Sequence, residues 1–467
     1  MTKKIGGEDI GIIGLGVMGL NLALNISDKG FTVIAYDLIL TEDYGADSIT
    51  RYSDIETFVQ KLKKPRKVLI MVPAGDPVDD VIKKLTQLLD SGDLVIDGGN
   101  SHYEDTNARA QILKTKNINY LGVGISGGAS GARNGPAIMA GGAKEVYQTI
   151  EPILKSIAAR DKKGNACVAR LGNSECVGHF VKMVHNSIEY AEMQMISEAY
   201  SILLSLRGFS NDQIAKIFGE WNKTEAESFL IDVTSKILRF KDAQTAKPLV
   251  DLILDQAGQK GTGKWGASTA IELGVPAPSL LEAVSARMIS TLKEERISAS
   301  EKYPVTASVN NKISNTTIRD ALFAAKICAF AQGFQLLYTA NKKYVWDINL
   351  SNVAETWKAG CIIRGRILEN ISEAFQTENE LPNLILSKVF SRKLKRLIPA
   401  LREVVSVGAL NALPLATYNA SLAYFDSYTK QKLPINLIQA QRDFFGAHGY
   451  SRTDKAGLFH TDWEKNS

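Results

Sequence analysis

The sequence predicts a doubly wound α/β domain over residues 1–176, a large all-α domain over 177–433 and an extended C-terminal tail over 434–467. Three observations carry this reading. Up to about residue 172, short apolar, β-branched runs alternate with helical periodicity, the pattern of parallel βαβ units. Beyond that point no strand-like series returns, and helical period continues to about residue 445. The remaining residues, AHGYSRTDKAGLFHTDWEKNS, are rich in Gly, Ser and Thr and read as extended chain.

At 467 residues the chain is too long for one ordinary core. The strand runs fall at 9–13, 32–37 (TVIAYD), 67–72 (KVLIMV), 93–97 (DLVID), 119–124 and 136–140. Helical stretches follow the first of these up to Gly30, and span 77–90 and 143–160. Residues 178–207 then hold helical period for a length of roughly 45 Å. Gly208 supplies their stop. Further helices are expected over 278–303 and 317–341.

The hydrophobic fraction of 45% and charged fraction of 22% are ordinary for a globular protein. A net charge of +5, with Lys and Arg spread among acids, gives no basic block for nucleic acid but suits a small anion. Cys167, Cys176, Cys328 and Cys361 form no CxxC pair. They read as reduced thiols, although Cys167 and Cys176 are near enough in sequence to bridge. The N-terminus lacks the apolar core of a signal peptide, and no uninterrupted apolar run approaches the ~18 residues of a membrane span. A cytoplasmic location without membrane contact is expected. Five histidines without metal-ligand spacing give no reason to expect a metal.

Between the first strand and its helix stands Gly14-Leu15-Gly16-Val17-Met18-Gly19. In that context the three glycines allow a tight turn, close backbone approach to a pyrophosphate, and helix-on-strand packing. The helix N-terminus then offers free N–H groups to phosphate. The domain is therefore Rossmann-like, and the alternative is a turn with no ligand. Asp37 closes the second strand, 18 residues after Gly19. A carboxylate there accepts hydrogen bonds from ribose hydroxyls and repels a 2′-phosphate. Leu38, Ile39 and Leu40 offer no cation to hold such a phosphate, so the site favours NAD over NADP.

On the long helix, Lys182, His185, Asn186 and Glu189 stand at i, i+3, i+4 and i+7. At 3.6 residues per turn they share an arc of about 100°. Such a stripe is either solvated or lines a site, and His and Asn between Lys and Glu favour the site. A lysine base working near neutrality needs its ordinary pKa of ~10.4 lowered by burial. The Gly-rich segment 124–133 follows a strand, and the Ser126 hydroxyl with nearby N–H groups suits a carboxylate. Residues 258–265, GQKGTGKW, nearly spell a P-loop but put Trp265 where magnesium needs Ser or Thr. Lys260 and Lys264, read as lying in a flexible loop, suit a phosphate monoester instead.

Six segments together resemble one family: DGGNS (97–101), SGG (126–128), HFVKMVHNSIEY (179–190), EWNKTE (220–225), AGQKGTGKW (257–265) and NLIQAQRDFFGAH (436–448). The chain resembles, over essentially its whole length, the decarboxylating 6-phosphogluconate dehydrogenases of the β-hydroxyacid dehydrogenase superfamily. The resemblance implies oxidation and decarboxylation of 6-phospho-D-gluconate to D-ribulose 5-phosphate in the pentose phosphate pathway, with reduction of NADP or NAD and no metal. It implies Lys182 as the base at the C3 hydroxyl and Glu189 as the acid that protonates C1 of the enediol. Ser126, Gly127, Gly128, His185, Asn186 and Asn100 are implied at the carboxylate and hydroxyls. Tyr190, Lys260, Arg287, Arg442 and His448 are implied at the phosphate, the last two reaching in from the tail of a partner in a homodimer. Val72, Pro73, Ala74 and Asn100 are implied beside the nicotinamide half. The family's Asn-Arg-Thr, which holds the NADP 2′-phosphate, is replaced here by Asp37-Leu38-Ile39. Pro73, Ala129, Ser130, Asn134 and Ser187 also depart from the pattern, which leaves open a related aldonate as substrate. A catalytically silent binding protein on the same fold is opposed by the presence of both Lys182 and Glu189.

Overall fold

The computed structural model describes residues 7–38, 49–259, 261–305, 313–378 and 380–465. Eight strands form the main sheet: β1 Ile10–Ile13, β2 Val33–Tyr36, β3 Thr50–Tyr52, β4 Lys67–Ile70, β5 Leu94–Asp97, β6 Asn119–Ser126, β7 Ala137–Gly141 and β8 Val168–Gly172. Their spatial order is β3-β2-β1-β4-β5-β6-β7-β8. Helices α1 Val17–Asp28, α2 Ile55–Gln60, α3 Asp76–Leu85, α4 Tyr103–Lys114, α5 Gly128–Asn134 and α6 Lys144–Ile157 intervene.

Burial on both faces explains why the strands read as near-continuous apolar runs. Ile12, Val33, Ala35 and Leu69 join the core on one side of the sheet. Ile13, Ile34, Val68 and Ile70 join a second core on the other. Two details depart from the sequence reading. Strand β7 runs antiparallel to β6, whereas parallel units were expected throughout. A parallel return needs a crossover of a dozen or more residues, and only residues 127–136 join these strands. Strands β3 and β8 were not foreseen. The first is three residues long with no buried position, and so carries no apolar signal.

The helical part begins with α7 Val177–Ser205, close to the expected span. It continues with α8 Asn211–Trp221, α9 Phe229–Arg239, α10 Thr262–Glu272, α11 Pro278–Thr291, α12 Lys293–Lys302 and α13 Asn315–Tyr344. Then follow α14 Leu350–Thr356, α15 Ile367–Thr377, α16 Lys388–Leu410, α17 Ala416–Tyr428 and α18 Ile435–Gly446. The single helix expected over 278–303 is broken at Leu292, whose ψ of 47° leaves the helical region. Just past the break, Lys293 and Arg296 both reach Asp255, at 2.6 and 3.0 Å. Helix α13 is long and apolar enough to cross a membrane, but 89% of that stretch is buried in the fold. It packs against α7 and α16 as a core helix.

The chain divides into two compact units, Met1–Leu422 and Ala423–Ser467. In the second, the residues after α18 are not the simple extended segment expected. Strands β9 Tyr450–Ser451 and β10 Leu458–Phe459 pair as a short antiparallel ribbon. Buried Asp443 ties them down, accepting from Gly449 N, His460 Nδ1, Thr461 N and Trp463 Nε1 at 2.9, 2.9, 3.0 and 2.9 Å. Burial alone would raise its carboxyl pKa, but these donors hold it well below the usual carboxylate range.

Candidate active site

The glycine turn has the geometry its spacing predicts. Gly14 takes a φ of 96°, a conformation open to glycine, and a Cβ on Gly19 would lie 1.9 Å from the Gly14 carbonyl oxygen. A Cβ on Gly16 would meet nothing within 4 Å, so the backbone there is open to a ligand. Gly16 is also the N-cap of α1 and makes no side-chain cap bond, which leaves N–H groups for a pyrophosphate. Asp37 Oδ2 accepts from Leu15 N at 2.5 Å, fixing the carboxylate against the turn. Leu38 is exposed and uncharged, while Ile39 and Leu40 lie outside the described residues. Val72 leaves β4 beside Gly14, with its Cγ1 3.0 Å from where a Gly14 Cβ would be. Pro73, Ala74 and Asn100 follow on the loops after β4 and β5, with Pro73 and Asn100 exposed. This crevice at the carboxyl ends of the strands fits a dinucleotide.

The stripe on α7 is enclosed rather than solvated, with Lys182 and His185 buried and Asn186 and Glu189 partly exposed. Lys182 is 7% exposed and His185 is fully buried. A seam of glycines makes this possible, because α7 lies directly on β6 and β7. A Cβ on Gly124 would stand 2.5 Å from Lys182 Cβ, and one on Gly178 would stand 2.2 Å from the Gly122 carbonyl oxygen. His185 Nε2 and Ser126 Oγ are 3.3 Å apart, and His185 Nδ1 lies 3.1 Å from Asn186 Oδ1. The same Nδ1 is 3.7 Å from Glu189 Oε2. Gly127 and Gly128 take φ values of 121° and 63° as the chain turns into α5.

Electrostatics divide the pair. Burial lowers the Lys182 pKa below its ordinary 10.5, against the pull of Glu189. Burial raises the Glu189 pKa above 4.5, against the pull of Lys182 and Arg287. Burial, aided by Lys182, also pushes His185 well below 6.5, so it is a neutral imidazole. A lysine biased toward the free amine and a carboxyl biased toward the acid, seven residues apart on one helix, have the electrostatics an acid–base pair requires.

At the far end Arg287 stacks 3.5 Å from the Tyr190 ring centroid and donates to the Gly258 carbonyl at 3.0 Å. These residues, with Glu189, Met193 and Gln259, line a cleft of about 510 Å³. Lys260 lies outside the described residues. Lys264 does not sit in a flexible loop: Gly261, at φ 94°, caps α10, and Lys264 is an exposed residue of its first turn. Arg442 and His448 are exposed residues of the second unit, and Arg442 donates to Gln439 at 3.1 Å. All four cysteines are buried and unbridged. Among the described residues no cluster of three or more metal-ligating groups occurs.

Some participants had no individual signal in the sequence. Thr262 Oγ1 accepts from Asn186 Nδ2 at 3.1 Å. It lies within the recognised 257–265 segment, but its partner is 76 residues away. Cys361 lies near Lys182, and its neighbour Gly360 places a carbonyl against Gly127. Ser187 is accommodated by Gly266, where a Cβ would stand 1.9 Å from the Ser187 hydroxyl.

A dinucleotide turn on a doubly wound sheet, joined to a buried lysine–glutamate pair on an all-helical domain, defines a dinucleotide-dependent dehydrogenase. Residues 9–172 match the NAD binding domain of 6-phosphogluconate dehydrogenase, and residues 178–463 match the C-terminal domain of that enzyme. The chain is 47% identical to an NADP(+)-dependent, decarboxylating 6-phosphogluconate dehydrogenase of Bacillus subtilis, over 98% of this chain and 99% of the relative. It is 46% identical to an NAD(+)-dependent, decarboxylating 6-phosphogluconate dehydrogenase of the same organism, over 98% and 100%. Among solved structures, the 6-phosphogluconate dehydrogenase of Plasmodium falciparum superposes with a TM-score of 0.93 at 39% identity, covering 97% of this chain and 100% of that one. The chain belongs to the 6-phosphogluconate dehydrogenase family.

Proposed function

We propose that the chain oxidises and decarboxylates 6-phosphogluconate to ribulose 5-phosphate and CO2, with NAD as the preferred acceptor. The observation that carries the chemistry is the buried Lys182–Glu189 pair, its two pKa values displaced in opposite directions. A nicotinamide dinucleotide held at the glycine turn and Asp37 would supply the hydride acceptor for C3. Lys182, as the free amine, takes the C3 hydroxyl proton as the hydride leaves C3. The resulting 3-keto acid loses its carboxylate as CO2, while the Lys182 ammonium returns a proton to the carbonyl oxygen. Glu189 then protonates the carbon that becomes C1 of the product, while the enediol hydroxyl gives its proton back to Lys182 and becomes the C2 ketone. Ser126, Gly127, Gly128, Asn100, His185 and Asn186 hold the carboxylate and hydroxyls. Tyr190, Lys260 and Arg287 take the phosphate.

The phosphate site is completed by Arg442 and His448 of a second subunit, in a homodimer that exchanges residues 434–467. Exposed Met288 and Ile289 on α11, Leu292 at the break and Ile297 on α12 support such an association. The enzyme works in the cytoplasm, in the pentose phosphate pathway.

The NAD preference rests on Asp37. Its charge opposes a 2′-phosphate, and Leu38 beside it brings no cation. The two Bacillus subtilis relatives use different dinucleotides at nearly equal identity, so overall likeness does not choose between them. Initial rates with 6-phosphogluconate and each dinucleotide test the reading. NAD is expected to give the higher kcat/KM, and Asp37→Asn to narrow the ratio. Equal or better use of NADP by the unmutated chain would overturn the assignment of Asp37. No reduction of either dinucleotide would overturn the function.

A further inference from the structure

We infer that Arg109, on α4, is a positioning residue for the dinucleotide, tying the loops after β4 and β5 into one rigid wall of the cofactor crevice. The inference rests on the reading that a nicotinamide dinucleotide occupies that crevice. Arg109 does not line the crevice through any contact described. Its side chain is 3% exposed and lies behind both loops. Toward the loop after β4, Nη2 donates to the Gly75 carbonyl at 3.1 Å. Nε and Nη2 together clasp the Asp79 carboxylate of α3, at 2.7 and 2.9 Å. Toward the loop after β5, Nη1 donates to Ser101 Oγ at 3.2 Å and lies 3.6 Å from Asp97 Oδ2. Asp97, fully buried at the end of β5, shapes that same loop by accepting from Gly99 N at 3.0 Å and Ser101 Oγ at 2.6 Å.

The two loops bear on the crevice directly. Val72 packs on Gly14 of the glycine turn, and its carbonyl oxygen is 3.3 Å from where a Gly99 Cβ would stand. One planar guanidinium thus sets the spacing between the residues that would flank the nicotinamide. Only a fork of several fixed donors can reach a carbonyl, a hydroxyl and two carboxylates at once, and a lysine ammonium cannot. Hydride transfer is sensitive to displacements of this order, since reacting atoms must be held within a fraction of an ångström.

The test measures the dissociation constants of NADH and NADPH by fluorescence titration, beside the KM for 6-phosphogluconate, in full-length Arg109→Met, Arg109→Lys and Asp79→Asn. Asp79 is 56% exposed, so Asp79→Asn loosens the clasp without opening the core. In Arg109→Met the preferred dinucleotide is expected to bind about tenfold more weakly or worse, a loss comparable to one charge-assisted pair. Asp79→Asn should weaken binding in the same direction by less, and Arg109→Lys should recover only part of the loss. The KM for the sugar acid should rise by less than the dinucleotide dissociation constant, because among the substrate groups only Asn100 sits on a loop that Arg109 ties. Unchanged dinucleotide binding in Asp79→Asn and in folded Arg109→Met would overturn the inference, as would equal losses for dinucleotide and sugar acid. If Arg109→Met does not fold, Asp79→Asn decides alone. Failure of the unmutated chain to bind either dinucleotide would instead overturn the cofactor reading on which the inference stands.

Discussion

Glu189, the proposed acid, also carries a stability cost. Burial raises its pKa above 4.5, and Lys182 and Arg287 only partly offset that. Above the raised value the folded state therefore holds a charge that the unfolded chain tolerates better, and stability is lost as pH rises through it. Below 4.5 the group is protonated in both states and the cost vanishes. Glu189→Gln removes the charge, so its melting temperature is expected to exceed that of the unmutated chain at pH 8. The two should converge toward pH 4. A difference independent of pH in calorimetric scans would argue against a buried, raised carboxyl. In the same variant kcat is expected to fall by roughly 10²–10⁴-fold, as for loss of a general acid.

At the scale of elements, the decisive contact is α7 against β6 and β7. Gly122, Gly124 and Gly178 permit it, because a Cβ at each would meet backbone or the Lys182 stem at 2.2 to 2.5 Å. Gly124→Ala would push on Lys182 Cβ at 2.5 Å and the Gly178 carbonyl oxygen at 2.8 Å, neither of them a flexible side-chain end. We expect denaturant titration to show a loss of about 1–3 kcal/mol, the usual cost of overpacking. In steady-state kinetics kcat should fall while the KM for the dinucleotide stays level. Unaltered kcat would mean that the seam does not place the lysine.

At the scale of the whole molecule, the proposed exchange of residues 434–467 would make each site a product of two subunits. Subunits carrying Lys182→Ala and subunits carrying Arg442→Ala should each be nearly inactive alone. Co-expressed, they form hybrids in which one site holds an intact Lys182 and an intact Arg442. Activity of roughly a quarter of the unmutated level is expected from random pairing of subunits. No recovery in hybrids verified by mass spectrometry would place Arg442 outside the partner's site.

What could be read before folding was local. The turn at Gly14–Gly19, the place of Asp37 after a second strand, and the shared face of Lys182, His185, Asn186 and Glu189 all follow from spacing within a few turns of chain. Periodicity names a face but not its surroundings. Whether that face is wet or dry depends on Gly124, which lies 58 residues before Lys182, and Cys361, 179 residues after it. Dielectric and pKa are set by such distant packing: the resemblance implied Lys182 as base and Glu189 as acid, and the opposite displacements of their pKa values come from tertiary structure. The same holds for the Asn186–Thr262 bond and the Arg109 clasp. Each joins residues whose proximity no local pattern encodes, because close packing, not chain neighbourhood, brings them together.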